Sequence, residues 1–215
     1  MLEEKLNELK RKLIEEASLA QDMVKKSIEG LVERRKEILE KVVKECEPKM
    51  NELEIELDEF CTNLIALYQP EAGKLRTILM VLKMNNDLER IGDLAVNISE
   101  SALFLIEKPL VKPLIDIPRM AEETISMLKN AVDSFINRDV NLAKSVCEKD
   151  SVVDNLRDQI LRELITYMSS DPSTIGRSIH LIRISRSLER IADLSTNICE
   201  DVIFMVEGKV IKHHK

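Results

Sequence analysis

The chain has no tryptophan, two tyrosines, four phenylalanines, five glycines and six prolines in 215 residues. Sheets draw on aromatic and β-branched residues and on glycine-rich turns, so this poverty points away from β architecture. The four cysteines (Cys46, Cys61, Cys147 and Cys199) form no CxxC pair and no zinc spacing, and read as reduced thiols. His180 is the one internal histidine and stands alone. With no Glu-x-x-His pair, the ligand set of an internal di-iron bundle is missing. There is no glycine-rich phosphate loop, EF-hand loop or nucleophile elbow. No basic run exceeds Lys212-His213-His214-Lys215, and the net charge is −7, so nucleic acid is not an expected partner. No apolar run reaches bilayer-spanning length. The first residues, Met1-Leu2-Glu3-Glu4-Lys5, are charged, unlike a signal peptide, and a cytoplasmic protein is expected.

What is abundant is leucine, isoleucine, glutamate and lysine, with 44% hydrophobic residues. That composition belongs to long amphipathic helices. Nearly the whole of 2–68 is helical in pattern, too long for one globular helix, so a turn is expected near Glu33–Lys36. Pro48 should kink the helix that follows or mark an irregularity in it. Gln69-Pro70-Glu71-Ala72-Gly73 reads as a loop, followed by a helix to about Glu107. The segment 109–117 is proline-containing and reads as a linker. Further helices are expected over about 118–137, 139–168 and 174–206. Asn137-Arg138-Asp139 is a turn ending in an N-cap, because a short carboxylate accepts the free amides of a first turn.

The organising feature is an internal repeat. Asn86–Glu100 and Arg186–Glu200 are identical at nine of fifteen positions. The halves therefore fold as two tandem three-helix up-down bundles, 1–108 and 118–215, making an all-α protein of six long helices.

On each repeated helix, at about 100° per residue, the apolar positions form one stripe. Leu88, Ile91, Ala95, Ile98, Ala102 and Leu105 share a face, and so do Leu188, Ile191, Ile198, Val202 and Met205. Glu89, Asp93, Asn97 and Glu100, and likewise Glu189, Asp193, Asn197 and Glu200, fall nearly opposite. Asp150 and Asp154 repeat the four-residue spacing on the preceding helix, at the edge of its apolar stripe. A groove between the last two helices could gather these carboxylates. Their first-half counterparts are Glu47 and Asn51, one acid fewer, so weaker binding is expected there. Oxygen-only clusters of like charge suit a hard cation such as iron(III), manganese, magnesium or calcium. The competing reading is a solvated salt-bridge face, since Arg90, Arg186 and Arg190 each lie three residues before an acid.

The repeated Leu-Glu-Arg-Ile-(Gly/Ala)-Asp-Leu-x-x-Asn-Ile segments resemble the PhoU family, accessory proteins of bacterial phosphate-specific transport. The resemblance covers essentially the whole chain. It implies a non-enzymatic negative regulator of phosphate uptake and of the phosphate-starvation response. Such a protein would act at the inner face of the membrane, between the transporter's ATPase subunit and a sensor histidine kinase. It also implies multinuclear iron, or another metal, on the bundle surface. The ligands would be Asp150, Asp154, Glu189 and Asp193 in one half and Glu47, Glu89 and Asp93 in the other, with Asn97 and Asn197 auxiliary. Dimers are common in the family, and a homodimer is expected. Two alternatives stay open. One is a metal-dependent phosphohydrolase or iron oxidase, which the outward ligands and scarce histidine disfavour. The other is an accessory protein of a low-affinity phosphate carrier.

Overall fold

A computed structural model describes residues 2–208, and the basic tail lies outside them. The described residues are helical with short connections and contain no strand. Six rods follow one another. Helix α1 is Leu2–Val32. Helix α2 is built from Lys36–Lys41, a π-helical turn Val42–Cys46, and Glu47–Tyr68. Helix α3 is Ala72–Ile106 and α4 is Asp116–Asn137. Helix α5 is Val140–Ser170 and α6 is Ile175–Glu207, entered through a 3-10 turn at Pro172–Thr174.

The tight turns fall where the sequence places them, and the reasons are local. Asp139 accepts from the backbone amides of Asn141 and Leu142 and so caps α5. Arg138 before it is left-handed at φ 53, and Arg34 in the first half is left-handed at φ 55. The first turn has no glycine at that position. Arg34 instead sends its guanidinium across to the C-terminal end of α3, donating to the carbonyls of Ile106 and Lys108. The Ile106 carbonyl has no intrahelical donor, so the contact satisfies the C-terminal end of α3. Gly30 is needed for close approach: Leu39 would lie 2.6 Å from a β-carbon there.

Pro48 acts as expected of it, and the structure shows how. A proline cannot donate to the carbonyl four residues back. The helix responds with the π-helical turn Val42–Cys46 immediately before it. This turn accommodates one extra residue. Leu39 and Val42 are buried in step with Ala143 and Val146, 104 residues on, whereas Met50, Leu57 and Cys61 match Val153, Ile160 and Leu164, 103 residues on. The π-turn thus restores α2 to the register of α5.

Helices α1, α2 and α3 pack as one bundle and α4, α5 and α6 as another. The bundles lie side by side, with α3 against α6 and α1 against α4. The stripe Leu88, Ile91, Ala95, Ile98, Ala102 and Leu105 is buried, as are Leu188, Ile191, Ile198 and Val202. Asp116 and Ile117 belong to the first turn of α4 rather than to the linker, and Pro118 follows in the same turn. A proline is tolerated there because first-turn amides have no intrahelical acceptor. The connection itself is tied down. Arg177 donates to the Pro109 carbonyl at 2.9 Å, and Lys112 bridges Asp116 at 2.5 Å and Glu163.

Candidate functional site

Each bundle carries an acidic groove between its second and third helices, and the two grooves differ in charge. In the second, Asp150 on α5 is pushed up to about 6, first by burial and then by repulsion from Asp154, Asp193 and Glu189. Of the four acids predicted to gather from α5 and α6, Asp150 is therefore close enough to feel the other three. A cation is already among them. Arg157 donates to Glu189 at 2.5 Å and lies 3.6 Å from Asp154 and 2.9 Å from Asp158. Arg190 pairs with Asp193 at 3.1 Å. Arg186 forms no ion pair with Glu189, whose Oε1 is taken by Arg157.

The first groove departs from expectation in its membership. Glu47 occupies the register position of Asp150 and is half-buried. The acids that crowd Glu89, however, are Asp93 and Glu54, which together with burial raise its pKa. Glu54 holds the register position of Arg157, so the first groove has an acid where the second has a cation. Deeper still lies Glu16 of α1, fully buried, with neither carboxylate oxygen hydrogen-bonded. Burial, and then Glu54, Glu89 and Asp58, push it up to about 9. Its counterpart in the second half, 104 residues on, is the buried Met120. The first groove thus contains two acids, Glu54 and Glu16, that the comparison of Asn51 with Asp154 leaves out. Periodicity along α2 and α3 could not reveal Glu16, which enters from α1. The available signal was an acid standing on an otherwise apolar stripe of that helix: Leu9, Leu13, Glu16, Ala20, Met23.

The outward placement of the repeated acids is partly corrected. Asp93, Asn97, Asn197 and Glu100 are exposed, but Glu89, Glu189 and Asp193 are half-buried at the groove edges. Asn97 lines a cleft against α6 rather than standing with Glu89. Among the described residues, no three His, Cys, Asp or Glu side chains converge on a point that could hold a metal ion. The donor chemistry still fits a hard cation. The orphaned oxygens of Glu16 and the mutual repulsion around Asp150 are each relieved by positive charge.

Two helical repeats with paired acidic motifs have counterparts among known proteins. The PhoU domain matches residues 13–102 and 117–202. The chain belongs to the PhoU family. A PhoU homolog from Aquifex aeolicus is 43% identical over 97% of this chain and 94% of its own length. PhoU homolog 2 of Thermotoga maritima is 35% identical, with 99% and 90% covered. Both relatives are named phosphate-specific transport system accessory proteins. The crystal structure of PhoU from Pseudomonas aeruginosa superposes with a TM-score of 0.93 at 33% identity, over 97% of this chain and all of that one. The PhoU fold thus accounts for both three-helix bundles.

Proposed function

We propose that the protein is a phosphate-specific transport accessory protein that negatively regulates phosphate uptake and the phosphate-starvation response. It does so without catalysis, as a cytoplasmic adaptor between the transporter's ATPase subunit and its sensor histidine kinase. The observation that carries this reading is the full-length relationship to proteins of that name, 43% identical over 97% of the chain. Two further observations support it. No described helix is long and apolar enough to cross a membrane, so membrane association would come through partners. The acidic motifs lie in open grooves along the bundles, a setting better suited to docking than to a dry catalytic cavity.

The grooves would take a hard cation, iron first and otherwise manganese, magnesium or calcium. Asp150, Asp154, Glu189 and Asp193 would hold it in one half and Glu89, Asp93, Glu54 and Glu16 in the other. A bound cation would supply positive charge to a face otherwise crowded with carboxylates.

Co-purification with the transporter ATPase subunit, and with the kinase, tests the adaptor reading. Elemental analysis of untagged protein runs alongside, with light scattering to read the expected homodimer. Capture of both partners, with a starvation reporter that stays on when the gene is deleted, is the expected result. Failure to capture either partner, or a reporter indifferent to the deletion, overturns it. Capture of a low-affinity phosphate carrier instead would move the protein to that neighbouring role.

A further inference from the structure

The seam between the bundles has two ends that the internal repeat makes equivalent and the side chains make different. Helices α3 and α6 cross antiparallel there. Lys83 pairs with Asp201 at 3.0 Å, and the Phe104 ring stacks on His180 with centroids 4.1 Å apart. Equivalent positions on α3 and α6 are 100 residues apart. The counterpart of the Lys83–Asp201 pair is therefore Arg183 facing Ser101. In the same way Asp87 corresponds to Ser187 and Asn86 to Arg186. One end of the seam is self-neutralised by Asp201 and Asp87. The other has lost both acids and gained a cation.

At that second end lies an open cleft of about 460 Å³ bordered by both bundles. Arg183, Arg186, Ser101, Ser187 and Asn97 line it, and Glu100 is its one acid among the described residues. Neither arginine makes a hydrogen bond or ion pair with another described residue, and the same holds for the two serine hydroxyls and the Asn97 amide. His180 also borders the cleft, with a buried Nδ1 that has no partner.

We propose that this cleft binds a phosphate-type oxyanion, seated where the acid of the opposite end would otherwise stand. Guanidinium forks match phosphate oxygens in a bidentate manner. Serine hydroxyls and an amide supply short-range donors around them. The volume lies in the range of small-molecule sites, and borders between two packed units are where such sites concentrate. The shared chemistry is a phosphate group, either free or carried on a nucleotide. A ligand there touches α3 and α6 together and so couples the two bundles. The proposal does not depend on metal in the acidic grooves.

Calorimetric titration with inorganic phosphate, and separately with ATP, tests it. The proteins are wild type, Arg183→Gln with Arg186→Gln, Lys83→Gln, and Asp150→Asn with Asp154→Asn. All three substituted positions of the arginine and lysine variants are exposed, and thermal melts check that folding is retained. The expected result is binding of at least one probe by wild type, about tenfold or more weakened in the double arginine variant. Lys83→Gln and the double aspartate variant should bind as wild type does. Phosphate binding equal to or tighter than ATP identifies the free anion, and the reverse identifies the nucleotide. No binding of either probe overturns the proposal, as does binding unchanged by loss of the two arginines. Binding lost only with Asp150 and Asp154 also overturns it, because the anion is then held through a groove metal.

Discussion

Replacing Glu16 with methionine should make the metal-free protein more stable, although it deletes an acid from the candidate site. Glu16 is fully buried with both oxygens unpartnered, and its pKa is pushed from 4.5 up to about 9. At pH 7 the unfolded chain carries it ionised and the folded chain carries it protonated. Folding must therefore take up a proton. The cost is 2.303RT for each pH unit between 4.5 and 7, about 3 kcal/mol. An acid whose folded pKa is raised costs nothing below its unfolded value, and the penalty grows as pH rises toward the folded value. At pH 5 the same linkage costs about 1 kcal/mol. The magnitude at pH 7 depends only on the folded value lying above 7. Methionine is the residue that the other bundle uses at the equivalent position, where Met120 is fully buried. Denaturant unfolding with chelator present, at pH 5 and pH 7, reads the effect. The stability gain of Glu16→Met should be larger at pH 7 than at pH 5 by about 2–3 kcal/mol. Other titrating groups are common to both proteins and cancel. A gain that is flat in pH, or a loss of stability at pH 7, would refute the reasoning, because the carboxylate would then have a partner in the folded state.

Arg157→Gln should convert the second groove toward the character of the first, since Arg157 neutralises Glu189 and Asp154 where the first bundle has Glu54. Manganese or calcium titration should show tighter binding than wild type, and unchanged or weaker binding would mean that Arg157 is not competing with a cation. Gly30→Ala should destabilise by about 1–3 kcal/mol, because the new β-carbon would lie 2.6 Å from Leu39, itself fully buried. A denaturant midpoint equal to wild type would show that the α1–α2 turn can relax at no cost.

Much of the fold was legible because a helix advertises itself along one strand of sequence. Leu88, Ile91, Ala95 and Ile98 repeat at helical spacing, and all are buried. Asp139 announces the start of α5 by its chemistry alone. Pro48 signalled an irregularity, although not that the helix would absorb it as a π-turn and preserve register. The candidate site was half legible for the same reason. Spacing of four on α5 and α6 picked out Asp150, Asp154, Glu189 and Asp193, and Asp150 lies near enough to the other three to be repelled by them. It could not identify Arg157 as their counter-charge, because a residue three positions on along α5 reaches α6 only when the two helices pack.

By itself, then, the sequence determined the helices, the Asp139 cap, the repeat and the family, all properties of residues near one another in the chain. Tertiary structure alone decided which charges meet. Glu16, Glu54 and Glu89 come from three helices, and Arg183 and Ser101 from two bundles. The relative phase of packed helices is set by how their apolar stripes interlock. A polar residue at a stripe's edge is therefore placed by its neighbours' packing, not by its own spacing.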